Sequence, residues 1–433
     1  MFKNIVLLLI SIFSPVSIAI HECEAADRPG TNSDESKVPP YTLPDPLVCL
    51  DGAKVTDAKT WMEKRRPELV EIFRANMHGR SPVKPAAMKF EVTSTDPKAL
   101  NGLATRKEVT ILLSGDKEGP QLHLLLYTPN GAANPSPAFI GVNFDGNHCI
   151  CADPGITVFE QWSWDNKTKA DVLAKPEAKK PGANIDVWPV ETALKRGYAI
   201  ATISRANVEP DYPLGWKHGI RGYYLKQSGK TEFAPDDWGA IAAWAWSLSR
   251  ALDYLETDPA VDAKRVAVLG HSRMGKASLW AGADDARFAI VISNDSGEGG
   301  AALARRWFGE TTAVINQNFP HWFSGNFKQF AGNEAKLPMD QHELIALAAP
   351  RPVYVASAED DKWADPKGEF LSAKNAEPVY ALFNKSGLGV EEMPAVNHPV
   401  GETIGYHIRT GKHDMTEYDW EQYMAFADKH FKK

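Results

Sequence analysis

The sequence predicts a single α/β domain, a three-layer sandwich whose mostly parallel sheet is covered by helices and lengthened by long insertions. Three observations predict it. Short apolar runs recur along the chain, and several are continuous rather than alternating, as strands buried on both faces are. Helical patterns lie between them, and strands alternating with helices imply right-handed crossovers. Beyond residue 46 no linker-like stretch and no internal repeat divides the chain.

The elements follow in order. Residues 1–25 read as an export signal: Lys3 gives a positive start, and Ile5 to Phe13 is apolar except for Ser11, too short to span a bilayer. Ser17-Ile18-Ala19 and Cys23-Glu24-Ala25 offer small-x-small cleavage sites, and Glu22 before Cys23 argues against a lipoprotein signal. Residues 26–46, rich in Pro, Ser, Asp and Gly, read as a tether leading into a domain at 47–433. Strand-like runs lie at Lys89–Thr95, Val109–Ser114, Leu122–Tyr127, Ala138–Phe144, Tyr198–Ile203, Arg265–Leu269, Phe288–Ser293 and Val353–Ser357. The early ones have little helix between them, so the sheet is expected to begin antiparallel. The clearest helix runs from Asp236 to Glu256, with Ile241, Trp244, Ala245, Leu248, Leu252 and Leu255 at helical spacing and Asp236 and Asp237 in its first turn beside Pro235. Insertions are expected near 152–190, 205–235 and 300–345.

Composition removes whole classes of function. A chain of 433 residues with 43% hydrophobic and 24% charged residues is globular, not disordered. A net charge of −7 gives no electrostatic reason for a nucleic-acid partner. No stretch after the signal has 18 uncharged apolar residues, so an exported, periplasmic or extracellular protein with no membrane span is expected; it is also expected to be a monomer. Four Cys do not make a disulfide framework, and Cys149-Ile150-Cys151 is too tight to bridge without strain. His148 is a lone neighbouring ligand, and His342-Glu343-Leu344-Ile345-Ala346 lacks the second His of a zinc-protease helix, so neither metal nor cofactor is expected. The 13 Trp fit sugar stacking and core packing equally well.

The most informative stretch is Arg265-Val-Ala-Val-Leu-Gly-His-Ser-Arg-Met-Gly-Lys276. A buried strand ends at Gly270 and a helix opens after Ser272, the strand–turn–helix context of the serine nucleophile elbow in α/β-hydrolases. Met274 stands where the commoner motif has its second Gly, and Gly270 and Gly275 relieve crowding in the turn. The backbone N–H of Arg273 is placed to donate to an oxyanion. Such a serine needs a histidine late in the chain. His413, in a loop before the last helix, suits the role better than His407, which follows Tyr406 in a strand-like context and reads as packed. The acid stays open between Asp295 and Asp361, both just beyond strand ends on the nucleophile's rim.

Five motifs then resemble a family. Gly270-His-Ser-Arg-Met-Gly-Lys276, Ser293-Asn-Asp-Ser-Gly297, Pro320-His-Trp-Phe323, Trp363-Ala-Asp-Pro366 and Gly411-Lys-His-Asp414, in this order, resemble the bacterial glucuronoyl esterases of carbohydrate esterase family fifteen. The resemblance covers roughly 40–433. It implies a cofactor-free α/β-hydrolase that cleaves esters between 4-O-methyl-glucuronic acid on glucuronoxylan and lignin alcohols. By motif it implies Ser272 as nucleophile, His413 as base and the Arg273 side chain as a further oxyanion ligand. It implies Lys276, Glu310 and Trp363, with His321 and Trp322, as sugar contacts. The family's acid is often Glu at the Asp295 position; other members carry it at the Asp361 position. Asp295 is therefore expected as the principal acid and Asp361 as its reserve. Glu298 departs from the Cys of many relatives and is expected to bring an extra carboxylate near the cleft. An acetyl-xylan esterase on the same fold and an inactive, glycan-binding hydrolase fold are the competing readings.

Overall fold

The strands of the computed structural model are β1 Lys89–Ala99, β2 Ala104–Leu112, β3 Gln121–Pro129, β4 Ser136–Asn143, β5 Gln161–Asp165, β6 Ala170–Ala174, β7 Ala199–Ser204, β8 Val261–His271, β9 Ile290–Asn294, β10 Val353–Ala358, β11 Val400–Gly401 and β12 Ile404–Arg409. The structure describes residues 30–132, 135–176 and 179–431, so the export signal read over 1–25 lies outside the described residues. Ten strands form one sheet in the order β1-β2-β3-β7-β4-β8-β9-β10-β12-β11, and β5 and β6 form a separate hairpin. The entry is antiparallel through β1, β2, β3 and β7, as the short early connections predict. From β7 through β4, β8, β9 and β10 to β12 every pairing is parallel.

Alternation along the central strands divides the core between two faces. Ile140, Val268, Val291 and Val355 join the cluster that contains the helices Ala240–Leu255 and Arg273–Asp284. Phe139, Ala267, Ile292 and Tyr354 join the cluster of the opposite face, with Trp420, Tyr423 and Met424 of the last helix, Glu417–Phe431. Both faces are buried, which is why these strands read as unbroken apolar runs.

The long helix begins at Ala240, four residues later than its sequence pattern suggests. Asp236 instead pairs with Arg80 at 2.9 Å, and Asp237 accepts the N–H of Ala234 at 2.6 Å. The first helical N–H groups have no need of an acidic cap: Ala240 and Ile241 donate to the carbonyls of His321 and Trp322 at 2.9 and 3.1 Å. Gly239 is required at this crossing, because a Cβ there would meet the Trp322 carbonyl oxygen at 2.2 Å. The helix is thereby locked to the 300–345 insertion.

Residues 30–46, read as a tether, lie along the body. Asn32 bridges to Gly309, Glu35 pairs with Arg306 at 2.8 Å and Lys367 at 2.7 Å, and the Pro44 carbonyl meets His342 at 2.9 Å. In the 152–190 insertion the β5–β6 hairpin stacks Trp162 on His218 with ring centroids 3.8 Å apart, so two insertions support each other. Among the described residues no helix is long and apolar enough to cross a membrane.

Candidate active site

The sharpest local feature is Ser272, at φ 57° and ψ −127° between β8 and the helix Arg273–Asp284. A non-glycine residue in this region carries roughly 1–3 kcal/mol of strain. It is held there by its own N–H on the Asn294 carbonyl at 2.8 Å and by its carbonyl, which accepts from Gly275 at 2.9 Å and Lys276 at 3.2 Å. A Cβ on Gly270 would lie 2.0 Å from the Met274 carbonyl oxygen, and one on Gly275 would lie 2.9 Å from the Ser296 Cβ. Both glycines are thus needed for the turn, and Met274 in the usual glycine position packs into the core instead.

Because β8, β10 and β12 run parallel, Ser272, Asp361 and His413 all follow C-terminal strand ends on one rim. His413 Nδ1 is 2.6 Å from Asp361 Oδ2, with the imidazole 40% exposed and the carboxylate 3%. Asp361 also accepts the Ala364 N–H at 3.2 Å, capping the turn that carries Trp363. The ring of His271 lies 4.5 Å from that of His413. His407, read as packed, is fully buried between Tyr354 at 3.0 Å and Asp419 at 2.9 Å.

The histidine is bonded to Asp361 and not to Asp295, the acid expected to be the principal one. Asp295 sits at φ 43°, its Oδ2 facing Arg409 at 3.5 Å and the Asp414 N–H at 3.3 Å, while its Oδ1 is buried without a partner. Its N–H is tied to Ala356 of β10 at 2.8 Å, and its short side chain is directed under the histidine loop. Burial, then the charges of Asp361 and Glu369, hold its carboxyl well above the usual carboxylate range. Donor atoms of Asp295, Asp361 and His413 still lie within 4.8 Å of one another, the spacing a cation would also need.

Arg273 is held as a side chain as well as a turn residue. Its guanidinium pairs with Asp211 and lies 4.7 Å from the Trp322 ring and 5.4 Å from the Phe319 ring. Asp211 pairs with Arg205 too, and accepts from His321 Nε2 at 2.9 Å and Trp322 Nε1 at 2.8 Å. Burial opposes the charge on Asp211, but Arg205 and Arg273 outweigh it and hold the carboxyl far below its ordinary range. His321 and Trp322, expected to touch sugar, are buried, and both donate to this carboxylate.

The other expected sugar contacts divide. Lys276 is buried, and its Nζ donates to the carbonyls of Ser296 at 2.5 Å and Glu298 at 2.7 Å, so it ties down the 296–298 turn. Burial pushes its ammonium below the ordinary lysine range, against the opposing pull of Glu310 and Glu298. Glu310 has a buried Oε1 without a partner; burial raises its pKa, against the opposing pull of Lys276 and Arg273. Its N–H donates to the Trp363 carbonyl at 2.9 Å, which joins these two candidates into one rim. Glu298, expected near the cleft, is buried and accepts the Thr312 hydroxyl at 2.6 Å. Asp211 and Arg409 carried no sequence signal, while Asn294, which binds His271 at 2.6 Å, sat unnoticed inside a recognised motif.

Comparison with known proteins places the chain in a family. The family model for glucuronyl esterases of fungi matches residues 232–384, from the helix before the elbow to beyond Trp363. Carbohydrate esterase MZ0003, from an unknown prokaryotic organism, is 49% identical over 93% of this chain and 92% of its own length. The 4-O-methyl-glucuronoyl methylesterase of Phanerochaete carnosa is 38% identical over 78% of this chain and 71% of its own. The chain belongs to the glucuronoyl esterases. The solved glucuronoyl esterase from Solibacter usitatus, 50% identical, superposes with a TM-score of 0.86 over 92% of this chain and all of that one. A promiscuous CE15 esterase from a marine bacterial metagenome, 48% identical, gives 0.85 over 93% of this chain and all of that one. The fold is accordingly an α/β-hydrolase and the protein a carboxylic ester hydrolase. Within this glucuronoyl esterase, the elbow and both acid positions fall inside the matched family segment and His413 falls outside it.

Proposed function

We propose that this esterase hydrolyses esters of 4-O-methyl-glucuronic acid on glucuronoxylan, such as those to lignin alcohols, through an acyl-enzyme on Ser272. The observation that carries the reading is the strained Ser272 on the same rim as the 2.6 Å His413–Asp361 pair. Ser272 attacks the ester carbonyl while the outer nitrogen of His413 takes its proton; Nδ1–H donated to Asp361 keeps the ring in the tautomer that can do so. The oxyanion lies against the Arg273 N–H and guanidinium. His413 then protonates the departing alcohol, and water resolves the acyl-enzyme by the reverse sequence. Glu310 and Trp363 meet the uronic sugar, with Lys276 supporting the turn behind them.

Export to the substrate's compartment and action as a monomer complete the proposal. A wider acyl range is a second reading, favoured by the 48% identical relative described as promiscuous. Release of glucuronic acid from benzyl glucuronate tests the first. The wild type should release it, while folded Ser272→Ala and His413→Ala should lose at least ~10³ in turnover. Wild-type-like turnover by folded Ser272→Ala would remove the acyl-enzyme; faster acetyl-xylan than glucuronate hydrolysis would favour the second reading.

A further inference from the structure

We propose that Arg409 is the positioning residue for the catalytic histidine, a role that rests on reading His413 as the base. The imidazole is 40% exposed, so packing alone does not fix it against Asp361. What remains to hold it is the main chain on either side and the ring it leans on. Both converge on one buried guanidinium.

Arg409 is the last residue of β12. Its Nη2 donates to the carbonyl of Lys412 at 2.9 Å and to that of Asp414 at 2.6 Å, the two residues that flank His413. Nη1 donates to the Thr410 carbonyl at 3.0 Å, and Nε donates to Asp419 at 2.8 Å. A planar fork can make these bonds together; an ammonium cannot reach both flanking carbonyls and the carboxylate. The loop around His413 is therefore fixed from inside by a residue four positions upstream.

The second arm runs through Asp419. This buried carboxylate accepts from Asn294 Nδ2 at 3.1 Å, as well as from His407 and the Thr416 N–H at 2.7 Å. An ionised carboxylate only accepts, so it turns the Asn294 amide nitrogen toward itself. The amide oxygen is left for His271 Nδ1–H at 2.6 Å, which fixes the tautomer and tilt of the ring 4.5 Å from His413. Asp419 is itself oriented by Arg409. One ion pair thus sets both the loop carbonyls and the neighbouring ring.

Arg409→Lys keeps the positive charge beside Asp419, sparing the fold, but gives up the fork. On benzyl glucuronate kcat should fall about 10- to 100-fold with KM within about twofold, the scale of a small misplacement of a catalytic group. The low-field proton signal of His413 Nδ1–H, assigned by its loss in His413→Ala, should broaden. Asn294→Ala releases the His271 arm alone and should cost less, with the same broadening. If Arg409→Lys does not fold, Asn294→Ala decides by the same two readouts. A folded variant with wild-type kcat and an intact signal overturns the proposal, as does a kcat loss that merely follows the unfolded fraction. Ser272→Ala and His413→Ala, run alongside, separate the two failures: activity in either removes the underlying reaction, whereas two dead controls beside an unaffected Arg409→Lys remove only the positioning role.

Discussion

The 2.6 Å bond between His413 and Asp361 sets the expected cost of Asp361→Asn. Asn is isosteric, and its amide oxygen can keep the Ala364 N–H that Asp361 now accepts at 3.2 Å. The amide nitrogen then faces Nδ1 and presents a hydrogen where the ring needs an acceptor. That selects the tautomer with its proton on the outer nitrogen, which cannot take one from Ser272. When the acid is the sole one, this exchange costs about 10⁴ in kcat, or about 5.5 kcal/mol. Here Asp295 keeps an oxygen within 4.8 Å of the pair, and its Oδ1 is unpartnered. Removing the Asp361 charge also removes the chief charge that, after burial, raises the Asp295 carboxyl. A partial substitute is therefore at hand, and the loss should be nearer 10²–10³, reaching ~10⁴ in the double mutant with Asp295→Asn. Asp295→Asn alone leaves the His413–Asp361 bond in place and should cost less than ~10-fold. The assay is kcat on benzyl glucuronate for the three variants at one pH. Equality of Asp295→Asn with the double mutant would refute the pairing seen here.

Lys276→Met should lower Tm and depress hydrolysis of glucuronate and acetyl esters alike, because two main-chain carbonyls lose their donor; removing one partner of a buried hydrogen bond costs ~1–3 kcal/mol per group. A loss confined to glucuronate esters at unchanged Tm would return Lys276 to sugar binding. Glu310→Gln should raise KM for benzyl glucuronate several-fold and leave a small acetyl ester unaffected; equal effects on both substrates would place Glu310 with the nucleophile. Burial raises the Glu369 carboxyl to about 8, so the folded state binds a proton that the unfolded chain has released above its usual range near 4.5. Its stabilisation is complete below about pH 4.5 and disappears as pH rises through 8, at up to roughly 1.4 kcal/mol per pH unit. Urea midpoints of the wild type should fall over that window more steeply than those of Glu369→Gln, whose amide can donate to the Ser357 hydroxyl now 2.6 Å from the carboxyl; parallel curves would disprove the assignment.

What the sequence showed was what lies close along the chain. Strand, turn and helix around Ser272 fall within a dozen residues, and both glycines proved to be steric necessities. The site of His413 was legible too, as a loop before the last helix. The acid was not. Asp295 and Asp361 both follow strand ends, and which one reaches Nδ1 depends on how two distant loops cross. Lys276 stands four residues after Ser272 on the same helix, a position that fits a cleft contact as well as the 296–298 carbonyls it meets. The start of the long helix was misread because the carbonyls of His321 and Trp322 cap it from across the fold. The β5–β6 hairpin did have a local signal, Gln161-Trp-Ser-Trp-Asp alternating before a polar turn, inside the 152–190 stretch read only as an insertion. The last parallel strand, β12, runs unbroken through Gly405, but the glycine breaks its apolar run in the sequence; a Cβ there would meet the Tyr354 ring at 2.4 Å.

Asp211 shows most clearly why function could be read further than the machinery beneath it. It lies in an insertion with no motif around it, yet it joins Arg205, Arg273, His321 and Trp322 at one carboxylate. Two guanidiniums share this one carboxylate, so Asp211 alone does not balance their charge. The tetrahedral intermediate brings a single negative one. In the proposed reaction this positive excess would face the developing negative charge, and fixed dipoles and charges of this kind cost no reorganisation at the moment of reaction. Without Asp211 the two arginines would repel each other and the Arg273 side chain would lose its direction. With two carboxylates in its place the surplus would vanish. The residue beside the reaction came from a motif; the residue that sets its charge had to come from the fold.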